Sequence, residues 1–132
     1  MAKIGNFGKL IVFETSDSRI LNFNNFQRTV SASWKSHERI GKKPLSEFAG
    51  PELQEITFSV TLNAQYGIQP RKVLENLEKA VETGQVELLI IGAAKIGKNR
   101  WKIVKMSEAW ETILNRGELL KATVNLTVEE YL

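Results

Sequence analysis

Cysteine is absent from the 132 residues, so the chain holds no disulfide framework, thiolate nucleophile or cysteine-ligated metal. Histidine occurs once, at His37. A histidine-based metal site would therefore need carboxylates for every other ligand, and there is no H-x-x-x-H pair to start one. As a general base, His37 would need a nucleophile and an orienting acid, and its neighbours Ser36 and Glu38 do not face it in a helix or a strand. It reads as an exposed loop histidine. Long apolar runs are missing as well: none is continuous enough to cross a bilayer. The opening "MAKIGNFGKLIVFE" lacks an apolar signal core and a small-residue cleavage site, so a soluble protein made and kept in a cytoplasm is expected. No repeat, linker or low-complexity segment interrupts the chain.

What is present is ordinary globular material, 42% hydrophobic and 25% charged, enough for one core and one domain over residues 1–132. A net charge of +3 affects solubility and steering more than it identifies a partner. The cations gather in two stretches, Lys35, Arg39, Lys42 and Lys43, then Lys95, Lys98, Arg100, Lys102 and Lys105. A nucleic-acid module would interleave aromatic platforms with them, and only Trp34 and Trp101 lie nearby. Two solvated loops account for the same residues, so no sequence-specific nucleic-acid binding is expected.

Periodicity supplies the elements. "KLIVFE" (9–14) is a first strand closed by the turn-like "TSDSR". Ile20, Phe23 and Phe26, then Val30, Ala32 and Trp34, suggest two extended segments with one buried face. In "EITFSVTLN", Ile56, Phe58, Val60 and Leu62 alternate with polar residues without a break, the signature of a strand with one face in the core. "QPRKVLENLEKAVETG" switches to the helical period, with Pro70 at the first position and Gly84 as the left-handed cap. Val73, Leu74, Leu77, Ala80 and Val81 form its stripe, and Glu75 and Lys79 an outer i, i+4 pair. "VELLIIG", "RWKIVKMSEAWETIL", an "NRG" turn and "ELLKATVNLTVEEY" complete the pattern. In the last, Leu120, Ala122, Val124, Leu126 and Val128 share a face. The fold class is mainly β, an antiparallel sandwich or barrel with one flanking helix.

Catalytic constellations fail on inspection. Gly92, Gly97 and Lys98 have the G-x-x-x-x-G-K spacing of a phosphate-binding loop. Asn99 stands where a hydroxyl should hold magnesium, however, and "RWKIVKM" opens no helix for the phosphate. A glycine-bearing hairpin with exposed lysines explains the residues more simply. Glu129 with Glu130, or Glu108 with Glu111, could imitate a glycosidase pair, but adjacent strand residues point to opposite faces, which disfavours the first pair, and fifteen acids supply such coincidences anyway. Trp101 and Trp110 could form a ligand platform, although aromatics flanking apolar strands more often serve a core or an interface. No catalytic residue, cofactor or metal ligand is assigned.

"SHERIGKKPLSEFAGPEL" (36–53) keeps neither period, so Lys35 to Glu52 reads as a loop of about 18 residues, longer than ordinary connections. Leu45 and Phe48 nevertheless need a place to bury. Either the loop folds back over its own core, or it reaches out as an arm whose apolar tip docks on a neighbouring subunit. The residues alone leave both open.

The order of residues in this stretch, His37, Ile40–Gly41, Lys43–Pro44, Glu47–Phe48, Gly50–Pro51, Leu53, Glu55–Ile56 and Phe58, resembles the central signature of the GpU family of tail proteins. These come from contractile-tailed phages and phage-tail-like bacteriocins. "IGNFGKLIVFE" resembles the family's opening strand and "FNNFQRTVSASW" its next. "LNAQYGIQP" resembles the lead-in to its helix and "GELLKATVNLTVEEY" its closing strand, so nearly the whole chain is covered. The resemblance implies a tail-tube-like fold that assembles into a six-fold ring, with structural work and no catalysis. It places the ring at the join between tail tube and baseplate hub, near the tape-measure protein, with a head-proximal terminator as the alternative. It implies that the long segment touches an adjacent subunit, which makes Ile40, Lys43, Leu45, Glu47, Phe48 and Leu53 candidates for that contact.

Overall fold

Two runs of strict alternation organise the molecule, and the remaining elements fall into place around them. The computed structural model describes residues 2–15, 20–114 and 116–132, with every side chain except those at 2, 3, 14, 15, 20 and 66. The first seven strands are β1 (Ala2–Phe7), β2 (Ile11–Thr15), β3 (Ile20–Leu21), β4 (Phe23–Thr29), β5 (Ala32–Arg39), β6 (Lys42–Pro51) and β7 (Glu55–Asn63). A 3-10 turn (Ala64–Tyr66) leads to helix α1 (Pro70–Thr83). Then come β8 (Val86–Glu87), β9 (Leu89–Ile91), β10 (Ala94–Lys95), β11 (Arg100–Ile113) and β12 (Leu119–Tyr131). One sheet runs β10-β9-β1-β2-β3, a second β4-β7-β12-β11-β8, and among the described residues β5 pairs with β6 alone.

The alternating strands β7 and β12 lie side by side, with Ile56 opposite Val128, Phe58 opposite Leu126, Val60 opposite Val124 and Leu62 opposite Ala122. All eight side chains are buried. A one-residue slip would turn every one of them to the wet face, so the hydrophobic pattern itself fixes the register. Phe7, Ile11, Phe13, Leu21 and Leu89 from the other sheet close over them, each larger side chain contributing about 1.5–3 kcal/mol. The chain changes sheet at Asn22, between β3 and β4, at Leu88, between β8 and β9, and again over residues 96–99, between β10 and β11. This is the expected architecture, a mainly antiparallel β-sandwich curling toward a half-barrel, with one α-helix among the described residues.

Helix α1 begins at Pro70 and ends in Gly84 at φ 71°, as its sequence predicts. Leu74, Leu77 and Ala80 are buried against β11 and β12, with Val73 and Val81 at the margin. The outer ion pair is Arg71–Glu75 at 3.6 Å, one turn before the expected Glu75–Lys79 pairing. Gly5 marks the tightest packing of the first sheet, where a Cβ would collide with the Ile90 carbonyl.

Several expectations are corrected. The first strand is the second: β1 precedes it, and "IGNFGKLIVFE" is a hairpin turning at Gly8–Leu10. Phe23 and Phe26 do pack on the core beside Phe13 and Phe58, whereas Val30, Ala32 and Trp34 are exposed. Their alternation reflects a strand that has left the body, so neither face meets the core. Of "TSDSR", 16–19 lie outside the described residues, as do the Ile20 side chain and Asn115 of the "NRG" turn. Gly117 in that turn has φ 79°.

Candidate assembly surface

The segment expected to be a loop is a β-hairpin. Beyond the Thr29–Glu55 pair of β4 and β7, Glu52 N donates to Ser31 O at 3.1 Å, and Ala32 then pairs with Pro51. The β4–β7 ladder therefore continues outward as β5–β6. Eight residues of β5 carry it roughly 26 Å at about 3.3 Å per residue. It turns at Ile40–Gly41, with Gly41 at φ 69°, a left-handed conformation suited to glycine. No residue of β5 or β6 is buried. Folding back over its own core is thereby excluded, and the projecting arm is what the chain forms.

Alternation and register divide the arm into two chemical faces. Trp34 opposes Phe48 and Ser36 opposes Ser46, giving one face that carries the aromatic pair. The two rings meet edge to face with centroids 5.1 Å apart. Lys35 opposes Glu47 and His37 opposes Leu45 on the other face. There His37 Nε2 donates to Glu47 Oε2 at 2.6 Å, both side chains more than half exposed. Leu45 and Phe48 thus point to opposite sides of the ribbon. Near the tip Arg39 Nε donates to the Lys43 carbonyl at 2.9 Å, and Ile40 stands wholly in solvent.

All six contact candidates are exposed. Ile40, Lys43, Leu45, Glu47 and Phe48 lie on the arm, and Leu53 lies at its root. The root is braced: Arg28 Nε and Nη2 donate to Gln54 Oε1 at 3.0 and 2.7 Å, and Ser31 Oγ donates to Glu52 at 3.2 Å. Sequence reasoning missed the His37–Glu47 bond. Glu47 is diagonal to His37 across the ribbon, a relation that exists only once the strand register is known.

The other candidates scatter. Gly92 and Ala93, both with positive φ, make the turn joining β9 to β10, and the strand β11 follows where a phosphate loop would open a helix. Trp101 is fully buried and donates to the Ile96 carbonyl at 3.0 Å. Trp110 is partly exposed, with the Arg71 guanidinium 5.8 Å from its ring centroid, so the two tryptophans form no shared platform. Each candidate carboxylate has its own partner: Glu129 pairs with Lys102, Glu130 accepts from Asn99 and Gln54, Glu108 accepts from Trp110, and Glu111 pairs with Lys121. Among the described residues there is no cluster of three metal-ligating side chains and no helix long and apolar enough to cross a membrane.

A family model described as Phage P2 GpU matches residues 10–132. No curated protein matches the sequence. Among solved structures, a chain of the "Tail of empty GTA particle computed with helical refinement, C6 symmetry" is similar at 12% identity and a TM-score of 0.49. The similarity covers 99% of this chain and 91% of that one.

Proposed function

The chain belongs to the Phage P2 GpU family of phage tail proteins, and from that premise we propose that it is a ring-forming structural subunit joining the tail tube to the baseplate hub of a contractile tail. It acts as one domain over residues 1–132, without catalysis, in a six-fold ring assembled in the bacterial cytoplasm and retained in the particle. Its neighbours are further copies of itself, the last tube ring, the hub and the tape-measure protein.

The observation that carries this reading is the β5–β6 arm. A two-stranded ribbon with no third strand and no core is only marginally stable in water, yet this one holds Trp34, Phe48, Leu45 and Ile40 out in solvent. Exposed apolar side chains concentrated on one projecting element, with a charged rim, are the composition of a contact that buries on assembly. Both edges of the ribbon also carry unpaired backbone groups able to accept a strand from a neighbour.

A cryo-electron microscopy reconstruction of the intact particle tests it. The expected result is a ring of this chain between tube and hub with the arm seated on the adjacent subunit or ring. Density confined to the head-proximal end would assign a terminator role instead, and absence from finished particles would remove the structural reading altogether.

A further inference from the structure

The two ends of β7 are chemically complementary. At one end an open hollow of about 390 Å³ lies between the start of α1 and the turn joining β11 to β12. Ile68, Pro70 and Leu119 give it an apolar floor, and the exposed Arg71 and Arg116 stand over it with Glu118 as the one lining carboxylate. Arg71 is already ordered by the Trp110 ring and by Glu75, and its ion pair with Glu75 is exposed on both sides and easily exchanged.

At the other end of this nine-residue strand, the corner between β6 and β7 presents the reverse. Leu53 is 41% exposed and is flanked by the exposed Glu52 and Glu55. The corner is rigid. Gln54 N donates to Glu130 Oε1 at 3.2 Å, Glu130 N donates to Gln54 O at 2.9 Å, and the Gln54 side chain is gripped by Arg28. An apolar side chain held out on a fixed backbone loses little freedom on docking.

We infer that the hollow takes the Glu52–Leu53–Gln54–Glu55 corner of a second copy, with Leu53 on the apolar floor and the flanking carboxylates facing Arg71 and Arg116. Both halves of the match reside on this chain, which favours a second copy over a foreign partner. Because the halves sit at opposite ends, the contact is head-to-tail and either closes into a ring or propagates a stack. It does not require the arm.

Charge reversal tests it by sedimentation velocity of the purified chain. Arg71→Glu with Arg116→Glu, or Glu52→Arg with Glu55→Arg, is expected to weaken self-association by about tenfold or more, and an equimolar mixture of the two variants to restore it. Circular dichroism melts serve to show that each variant is folded, and should either pair fail to fold, Leu53→Ser, which removes the apolar plug and leaves every charge in place, is expected to weaken association likewise. Reversed variants that associate like the wild type, a mixture that stays dissociated, or a wild type monomeric at its highest soluble concentration each overturn the contact. Association lost in Phe48→Asp but kept in the charge-reversed pairs would leave the arm standing and remove the end-to-end contact. The converse result would remove the arm.

Discussion

Trp34 and Phe48 face each other across the arm with ring centroids 5.1 Å apart and planes inclined at 65°, while remaining 62% and 54% exposed. A pair of large aromatics that satisfies only itself is stable enough to persist, since such pairs contribute about 0.5–1.5 kcal/mol, but leaves most of its apolar area in water. Phe48→Asp removes that face and leaves the buried core untouched. We expect the variant to melt within a few degrees of the wild type, because an exposed pair worth about 1 kcal/mol shifts Tm only modestly in a domain of this size, and to fail to enter particles. Electron microscopy of tails grown with the variant checks it, and normal rings would rule out the aromatic face as a contact.

Leu45 lies on the opposite face of the ribbon, beside His37 and Glu47. Leu45→Asp therefore tests a different surface from Phe48→Asp. If the arm is clamped between two neighbours, each substitution alone blocks incorporation. If only one face is covered, one of the two variants assembles normally. Equal, unimpaired incorporation of both would mean that the arm stays in solvent in the finished particle.

Legibility from sequence followed burial. The strand Glu55–Asn63 and the helix Pro70–Thr83 were readable to the residue because each has one buried face, and burial is what imposes a period. Beyond Trp34 the arm does not read as strands, for the same reason inverted. With no face buried, nothing selects apolar against polar at alternate positions, and Lys35 to Glu52 carries no period to find. β1 was hidden by Gly5 and Gly8, which look like loop residues although Gly5 serves a close approach to β9. What the composition did signal was the anomaly itself, two large apolar residues in a charged stretch, and those residues are exposed on the arm.

Ala93 sits in the β9–β10 turn at φ 63°, a left-handed conformation that disfavours any side chain with a Cβ by about 1–2 kcal/mol. Ala93→Gly relieves that strain at the expense of a looser unfolded chain, worth about 0.4–1 kcal/mol. The net expectation is a gain of up to about 1 kcal/mol, read as a higher urea midpoint with an unchanged m-value. A lower midpoint would show that the turn is not under strain. Lys98→Ala in the neighbouring stretch is expected to change neither stability nor nucleotide binding, since this turn leads into a strand.

Leu77 is fully buried beneath α1 and anchors the helix to the sheet through β11 and β12. Leu77→Ala should cost about 2–5 kcal/mol, the lost transfer energy plus the cavity left behind. That is a large fraction of the stability of a small domain. Chemical denaturation measures it directly. A cost below about 1 kcal/mol would mean that the helix repacks freely, and so is a poor base for the hollow at its N-terminal end.

Gln54 connects three parts of the molecule: its side chain accepts two bonds from Arg28 on β4, and its backbone exchanges bonds with Glu130 on β12. Gln54→Ala removes only the side-chain grip. The backbone ladder survives, and exposed hydrogen bonds of this kind contribute about 0.5–1.5 kcal/mol, so the core should remain folded. The arm, in contrast, is then held at its β4 side, among the described residues, by the Ser31–Glu52 pair alone, through one backbone and one side-chain bond. Native-state hydrogen exchange is expected to show faster exchange confined to residues 31–52, with the β7–β12 amides unchanged. Acceleration across β7 and β12 would mean that Gln54 holds the sandwich together. No acceleration anywhere would mean that the arm's stiffness comes from its own ladder, and particle incorporation of the variant should then match the wild type.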